Sequence, residues 1–341
     1  SIMMILGNRP YLFILFLISC NSLDNSSKNN LYHFPIITGN TMGTTYTVKY
    51  ATDIKNSDDI KNNKDKIEEI LKDINMQMST YIEDSEISKF NRINNTEWMD
   101  ISEDFAFVVE SSFQYYDISN GLYDITVMPL VNLWGFGPDK FLDIPTAADI
   151  DSVLSFIGQD LIEINDSKIR KKDPRVQIDL SSIAKGYAVD KIITNLGYDN
   201  IFVEIGGEVR GKSDGKIWKI GINTPSIDNI SNEIEYIAPI KNGSIATSGN
   251  YRNFYIDEDD RFYHHEINPL TGYPIMSKLA SISVFTTTSC MEADGLATSL
   301  YMMSPNDVQS FFKENEFEGL MIFVEPDMSF KQVVSENFPK N

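Results

Sequence analysis

The segment DLSSIAKGYAVD, from Asp179 to Asp190, decides how the middle of the chain folds. It follows an apolar strand predicted over Val176–Leu180 and runs into a helix predicted over Ser182–Leu196. A strand-to-helix turn exposes free amides and the positive end of the helix dipole, so it suits a phosphate or pyrophosphate, with Lys185 as a mobile cation. The same Asp and Ser-Ser pair would equally serve to cap the helix.

Outward from this segment, strand-like and helical stretches are mixed without regular alternation. The other predicted elements are strands at Thr41–Tyr50, Leu161–Ile164, Ile201–Ile205, Ile217–Ile222 and Ser281–Thr286, and helices at Asp58–Met76, Ser102–Ser119 and Ser289–Met303. This mixture predicts an α+β fold, with mixed or antiparallel sheets and packed helices, rather than a doubly wound parallel sheet. The sequence contains no Gly-x-Gly-x-x-Gly or Walker loop, so a Rossmann unit is not expected.

The composition predicts a globular protein and argues against nucleic-acid binding and a disulfide-rich scaffold. Of 341 residues, 42% are hydrophobic and 23% charged, which is typical of a globular chain with a substantial core. The 29 Lys and Arg against 49 Asp and Glu give a formal net charge of −20, and so acidic a protein is not expected to bind nucleic acid. Two cysteines cannot build a disulfide-rich scaffold.

The start of the chain carries a targeting signal. The apolar run at Tyr11–Ile18 is too short to span a bilayer and is typical of a signal peptide, here residues 1–19. Cys20 ends a Leu-Ile-Ser-Cys stretch that resembles a bacterial lipobox and would carry lipid; the alternative is a plain cleaved signal with an accidental cysteine. Residues 20–35 are then expected to form a flexible polar tether, and 36–341 a single catalytic domain. If Cys20 is lipidated, Cys290 is expected to be a buried free thiol.

A second chemical motif lies in the last predicted helix. The sequence EADGLAT, Glu292–Thr298, places Asp294 and Thr298 four residues apart on one helix face. Hard oxygen ligands at this spacing suit Mg²⁺, which takes its remaining ligands from water and phosphate. The alternative is a half-exposed helix with Asp294 in solvent.

Four further segments could serve a ligand or only the fold. The turn in IGGEVR, Ile205–Arg210, permits close backbone approach to a ligand or makes a tight hairpin. Tyr81 could stack on a flat ring or pack in the core, and core packing is the default for Gly121–Gly137. In HHEINPLTGYP, His264–Pro274, a histidine could remove a hydroxyl proton or be inert.

Taken in order, these segments resemble the ApbE family, the exported FAD:protein FMN transferases. The matching motifs are Met42-Gly-Thr, MSTY, YDITV with LWGFG, DLSSIAKGYAVD, IGGEVRG, ATSGNYR, HHEINPLTGYP and EADGLATSL. The resemblance implies an α+β fold and an activity in which FAD is cleaved at its pyrophosphate, FMN passes to a Thr or Ser hydroxyl of a target protein, and AMP is released.

The resemblance also assigns residues. It implies Mg²⁺ bound by Asp294, the Thr298 hydroxyl and the Ser182 backbone carbonyl, with His265 as the base that deprotonates the acceptor. The residues expected against FAD are Met42, Tyr81, Leu122, Tyr123, Asp124, Asp179, Lys185 and Ile267. Asn268 stands where many relatives have Asp, and the sequence does not decide between His264 and His265.

The lipid anchor and the family together imply an enzyme on the periplasmic side of the inner membrane, acting on a membrane-bound flavin-accepting redox protein. Two alternatives remain open at this point. The same site with water as acceptor would be an FAD pyrophosphatase that releases FMN and AMP. A lipoprotein that binds flavin without turnover belongs to a different class.

Overall fold

The structure is a computed structural model, and it describes residues 32–53, 57–137, 144–223, 234–249, 254–256, 262–264, 266–275, 277–325 and 329–340. The signal peptide, Cys20 and the tether up to residue 31 lie outside these residues, and so does His265. None of the helices in the described residues is long and apolar enough to cross a membrane.

Helices and strands are interspersed along the described chain. The helices are α1 (Ser57–Met78), α2 (Glu86–Arg92), α3 (Glu103–Ile118), α4 (Met128–Leu133), α5 (Ala147–Leu154), α6 (Ala184–Leu196), α7 (Cys290–Met302) and α8 (Pro305–Glu314). The strands are β1 (Ile36–Thr41), β2 (Thr44–Tyr50), β3 (Met99–Asp100), β4 (Ile162–Asn165), β5 (Lys168–Lys171), β6 (Ile201–Ile205), β7 (Glu208–Lys212), β8 (Trp218–Asn223), β9 (Ile234–Ile240), β10 (Gly243–Gly249), β11 (Phe254–Ile256), β12 (Phe262–His264), β13 (Leu279–Thr286), β14 (Glu318–Val324) and β15 (Phe330–Val334).

An eight-stranded sheet organises the molecule, with strand order β1-β2-β6-β7-β10-β13-β14-β15. Every neighbouring pair in it is antiparallel. Three smaller sheets accompany it, with orders β3-β5-β4, β8-β9 and β11-β12. The α+β prediction is therefore confirmed, and no Rossmann unit occurs in the described residues.

The sheet separates two cores because alternate residues of a strand point to opposite faces. In β6, Val203 and Ile205 join the main core, to which α1, α3, α6 and α7 contribute. Phe202 faces the other way and packs with Trp218 and Ile220 of the β8–β9 hairpin. The sheet is thus covered by helices on one face and by a hairpin on the other.

The predicted helices and most predicted strands are confirmed within a few residues. Ser102 caps α3, since its hydroxyl accepts a hydrogen bond from the Phe105 amide at 3.3 Å. Gly121 terminates that helix with a φ of +83°, and its amide donates to the Tyr116 carbonyl at 2.9 Å. Cys290 is a fully buried free thiol, as expected.

Three predicted elements differ from the structure. Thr41–Tyr50 is not one strand, because the chain reverses at Met42 and Gly43, both at positive φ, between β1 and β2. Val176–Leu180 lies in no sheet: the backbone of Ile178 bonds to the side chain of Asn91, and the amide of Asp179 donates to the Ile125 carbonyl. The helix predicted from Ser182 begins at Ala184.

Candidate active site

The candidate site begins where α6 meets α7. The amide of Gly186, in the first turn of α6, donates to Oδ2 of Asp294 on α7 at 2.9 Å. In a regular helix that amide would donate to the carbonyl of Ser182, four residues earlier. The bond to Asp294 therefore joins the two predicted metal-binding segments. It also engages the amide that would donate to the Ser182 carbonyl in a regular helix.

The two helices approach closely enough to require glycine. A Cβ built on Gly186 would lie 2.5 Å from the carbonyl oxygen of Cys290 and 2.7 Å from the Cα of Met291. Both are backbone atoms that cannot move aside independently. Glycine at 186 is thus a geometric requirement for placing Asp294 beside the start of α6.

Asp294 is buried, with 4% of its surface exposed, so the alternative of a solvated helix face is wrong. Burial and the neighbouring charge of Glu208 raise the pKa of Asp294 well above its usual range, although Lys185 opposes them. A buried carboxylate of this kind is costly without a cation. Asp294 is thus well suited to bind one.

Thr298 lies one turn further along α7, half-buried. Its hydroxyl is 3.1 Å from that of Ser248, near the end of β10. Ser182 is held from the other side, since its hydroxyl is 2.8 Å from the phenolic oxygen of Tyr123. One carboxylate, one hydroxyl and one backbone carbonyl form a set of hard oxygen donors, and these residues fit Mg²⁺. No cluster of three or more His, Cys, Asp or Glu side chains suited to a metal occurs in the described part of the chain.

Lys185 is fixed at the same place by an acidic partner. Its ammonium lies 2.7 Å from Oε2 of Glu208, which is almost fully buried on β7. Glu208 follows the Gly206-Gly207 turn, so IGGEVR forms a tight hairpin, which is one of the two structures predicted for it. Glu208 and Asp294 share Lys185 as a common cation.

A partly buried carboxylate orients α7. Asp190, at the end of the DLSSIAKGYAVD segment, accepts hydrogen bonds from the amides of Cys290 and Met291, each at 2.9 Å. It also pairs with Arg210 of β7. Asp190 therefore caps α7 from another element, which fixes the helix that carries Asp294 and Thr298.

The residues expected against FAD occupy several segments around this centre. Asp179 accepts a hydrogen bond from the Ser181 amide at 2.8 Å, and α6 has no side-chain cap, so helix capping does not explain Asp179. Tyr81 is 77% exposed, which excludes core packing. Partial burial raises the pKa of the Tyr81 hydroxyl, and the charge of the neighbouring Asp179 raises it further.

The aromatic segment after α3 is mainly structural. Tyr123 is buried and Leu122 is half-buried beside it. Asp124 accepts from the amide and the hydroxyl of Thr126, at 2.8 and 2.7 Å, and so caps a short 3-10 helix. The Tyr123 hydroxyl connects this segment to Ser182.

Met42 and Ile267 lie outside this hydrogen-bond network. Met42 forms the β1–β2 turn; this hairpin reaches the Gly206 turn, whose amide donates to the Thr45 carbonyl at 3.1 Å. Ile267 is buried in a separate small cluster with Leu130 and Trp134. The catalytic assignment of His265 falls on a residue outside the described part of the chain.

The sequence reasoning missed Glu208, Asp190 and Ser248 as individual residues, although all three lie in segments it quoted. The position of Glu208 directly after the Gly206-Gly207 turn was the available signal for it. Nothing local marks Asp190 as the cap of a helix that starts a hundred residues later.

The sequence of the chain is similar to those of known proteins. Residues 42–321 match the ApbE family. The chain belongs to the ApbE family. Among its relatives, the FAD:protein FMN transferase of Vibrio cholerae is 40% identical over 309 residues, covering 89% of this chain and 91% of that protein. That of Haemophilus influenzae is 38% identical over 316 residues, covering 89% and 90%.

Solved ApbE structures share the fold of this family member. The flavin transferase ApbE from Vibrio cholerae superposes with a TM-score of 0.79 at 36% identity, covering 90% of this chain and 98% of that one. The apo form of Pseudomonas stutzeri flavinyl transferase ApbE gives a TM-score of 0.78 at 32% identity, covering 89% and 95%. The ApbE resemblance inferred from the motifs is therefore confirmed.

Proposed function

We propose that this ApbE family member is an FAD:protein FMN transferase, which transfers FMN from FAD to a Thr or Ser hydroxyl of a target protein and releases AMP. The family membership and the curated relatives support the reaction. The observation that supports the site assignment is the Gly186–Asp294 hydrogen bond, because it joins the two segments that we propose to bind the metal.

The chemistry is a displacement at phosphorus. The acceptor oxygen bonds to the phosphorus of the FMN half, the bond from that phosphorus to the bridging oxygen breaks, and AMP leaves with the bridging oxygen. The hydroxyl proton passes to a base, a role that the family resemblance gives to His265. General base catalysis of this kind contributes about 10²- to 10⁴-fold.

Asp294, the Thr298 hydroxyl and the Ser182 carbonyl are proposed to hold Mg²⁺. When bound, the ion would neutralise pyrophosphate charge and stabilise charge that develops in the transition state. The chain's own part is positional. Gly186 and Asp190 fix the two helices, and Lys185, held by Glu208, offers a cation to the pyrophosphate.

FAD is proposed to bind along Met42, Tyr81, the Leu122–Asp124 segment, Asp179, Lys185 and Ile267. The exposed ring of Tyr81 beside the Asp179 carboxylate supports this, since an exposed aromatic ring offers a flat surface on which isoalloxazine or adenine can stack. A solvent-accessible ring at this position has no packing role to explain it.

The experiment combines the purified full chain, FAD, Mg²⁺ and a candidate target protein. Flavin fluorescence that stays with the target on a denaturing gel, together with an equal amount of AMP, supports transfer. Free FMN and AMP with no labelled target indicate the pyrophosphatase, and bound FAD without products indicates a flavin-binding lipoprotein. A target whose acceptor Thr is changed to Val is the matched control.

We also propose that the chain is exported and anchored by lipid on Cys20 to the periplasmic side of the inner membrane, with a membrane-bound redox protein as target. The Leu17-Ile18-Ser19-Cys20 stretch supports this. Cys20→Ser should move the protein from the membrane fraction to the soluble fraction. Unchanged membrane association of that variant would refute the anchor.

A further inference from the structure

An exposed apolar strip lies where the described chain begins. Tyr32, Phe34 and Ile36 alternate with less exposed residues, and their side chains are 50%, 37% and 59% exposed. Ile37 points to the opposite face and is buried in the main core. Since residues two apart on an extended chain share a face, the three side chains form one strip.

Two lysines border this strip. Lys49 lies directly opposite Ile36 in the β1–β2 register, so both side chains are on the same face of the sheet. The ammonium of Lys216 lies 4.2 Å from the centre of the Phe34 ring. Ile217, the next residue along the chain, is 54% exposed. We call Tyr32, Phe34, Ile36, Lys49, Lys216 and Ile217 the tether-side patch.

The patch is positively charged on a strongly acidic protein. The charge of Lys216 adds to burial in lowering the pKa of Lys49, so the two ammonium groups are close together. Among the ion pairs found in the described residues, none includes either lysine. Two adjacent cations with exposed aromatic and aliphatic neighbours therefore stand out against a net charge of −20.

We propose that the tether-side patch docks on the anionic surface of the membrane that holds the lipid on Cys20. This inference rests on the proposed lipid anchor. Eleven residues lie between Cys20 and Tyr32, and the twelve steps from one to the other span at most about 40 Å when extended, so the anchor keeps the patch near the bilayer. Lysine and aromatic side chains are the groups that favour the headgroup region of an anionic membrane.

Docking through this patch sets the orientation of the active site. Met42, at the turn proposed to contact FAD, is six residues from Ile36 along β1, which corresponds to about 20 Å. A body that rests on the patch therefore holds that turn at the far end of the strand. The same contact limits the rotation of the body about the proposed lipid anchor.

The experiment uses the full lipidated chain with a polarity-sensitive fluorophore on Ile36→Cys. Labelling is selective because Cys290 is fully buried and Cys20 carries the lipid. On vesicles of phosphatidylglycerol and phosphatidylethanolamine, we expect blue-shifted emission and quenching by brominated acyl chains. The matched control is Phe107→Cys on α3, which is similarly exposed and should show neither effect.

Charge dependence gives a second measurement. Changing Lys49 and Lys216 to Gln should lower the ratio of docked to undocked protein about fivefold per lysine, and vesicles of phosphatidylcholine should have a similar effect. Lys61→Gln with Lys72→Gln on α1 changes the net charge equally and should leave docking unchanged. FMN transfer to a soluble target should be unaffected in both double variants.

Three results would overturn the proposal. If the protein floats with vesicles while the Ile36→Cys probe remains as hydrated as the Phe107→Cys probe, docking fails and the lipid anchor stands. If the protein does not float, the anchor itself fails, whatever its transferase activity. If the Ile36→Cys probe becomes shielded without vesicles as protein concentration rises, a second copy of the chain covers the patch instead.

Discussion

The side-chain amide of Asn91 makes both hydrogen bonds to the backbone of Ile178. Its Nδ2 donates to the Ile178 carbonyl at 2.9 Å, and its Oδ1 accepts from the Ile178 amide at 2.8 Å. One side chain on α2 thus satisfies both backbone hydrogen-bonding groups of Ile178, as a neighbouring strand would. The segment that it holds leads directly to Asp179, Ser182 and Lys185, so a residue remote from the metal motifs supports the approach to the site.

We expect Asn91→Ala to lower the free energy of unfolding by about 2–4 kcal/mol, because it leaves two backbone groups of buried Ile178 without partners. The KM for FAD should rise as well, since Asp179 loses its support. Urea unfolding and initial-rate kinetics measure the two effects. The control is Asn195→Ala, which removes one exposed bond to the Lys191 carbonyl and should cost less than 1 kcal/mol. Equal costs in the two variants would contradict this reading.

Asp294→Asn should abolish FMN transfer with little loss of stability. The asparagine amide oxygen can still accept from Gly186, but it provides no charge for a divalent ion. Thr298→Val tests the second ligand with a side chain of nearly the same shape. Transfer at saturating Mg²⁺ and the rise in melting temperature on adding Mg²⁺ are the measurements. Full activity of Asp294→Asn would refute the metal assignment.

Gly186→Ala should impair both stability and activity. Its methyl group would lie less than 3 Å from backbone atoms of Cys290 and Met291, so α6 and α7 must separate. Such overpacking costs about 1–3 kcal/mol, and the separation should weaken Mg²⁺ binding. Gly215→Ala is the matched control, because nothing lies within 4 Å of the added carbon. Comparable behaviour of the two variants in thermal unfolding would show that the close approach is unimportant.

The elements that sequence patterns predicted well are those with strong local signals. Ser102 and Gly121 mark the ends of α3, and the apolar run at Ile201–Ile205 is fully buried in β6. Val176–Leu180 shows the limit: its alternating burial is that of a strand, but whether its partner is a strand or Asn91 depends on residues 87 positions away.

The candidate site shows the same division. The motifs containing Asp294, Thr298 and Lys185 were visible because their residue types and spacing suggest chemistry. Glu208 and Asp190 contact those residues or their helices through tertiary interactions. The burial and the partner of a carboxylate cannot be predicted from the residues next to it in the sequence. A resemblance to a family can assign ligands, but the groups that hold the ligands in place emerged only from the fold.

The ion pair between Lys185 and Glu208 allows stability to be separated from function. Lys185→Met should destabilise the protein by about 3–5 kcal/mol, because Glu208 is left buried without its cation. The double variant with Glu208→Gln removes both charges and should recover most of that loss. FAD binding should not recover, since the cation proposed for the pyrophosphate is absent. Recovery of FAD affinity in the double variant would contradict the role of Lys185.

Glu204 should give the protein a distinctive dependence on pH. Burial, with the nearby charge of Glu208, raises the pKa of Glu204 to about 7, against an ordinary value of 4.5. Between these values the folded state holds a proton that the unfolded state has lost. Stability contributed by this group is therefore complete below about pH 4.5 and declines as pH rises to about 7, by roughly 2–4 kcal/mol in total.

Glu204→Gln should remove that decline, because the amide stays neutral and its oxygen can still accept from the Gly207 amide. The variant should match the parent protein near pH 4 and exceed its stability by roughly 2–4 kcal/mol at pH 8. Unfolding in urea at a series of pH values measures the difference. Glu97→Gln, at an exposed position, should follow the parent at every pH. A constant difference between Glu204→Gln and the parent over this range would mean that folding does not raise the pKa of Glu204.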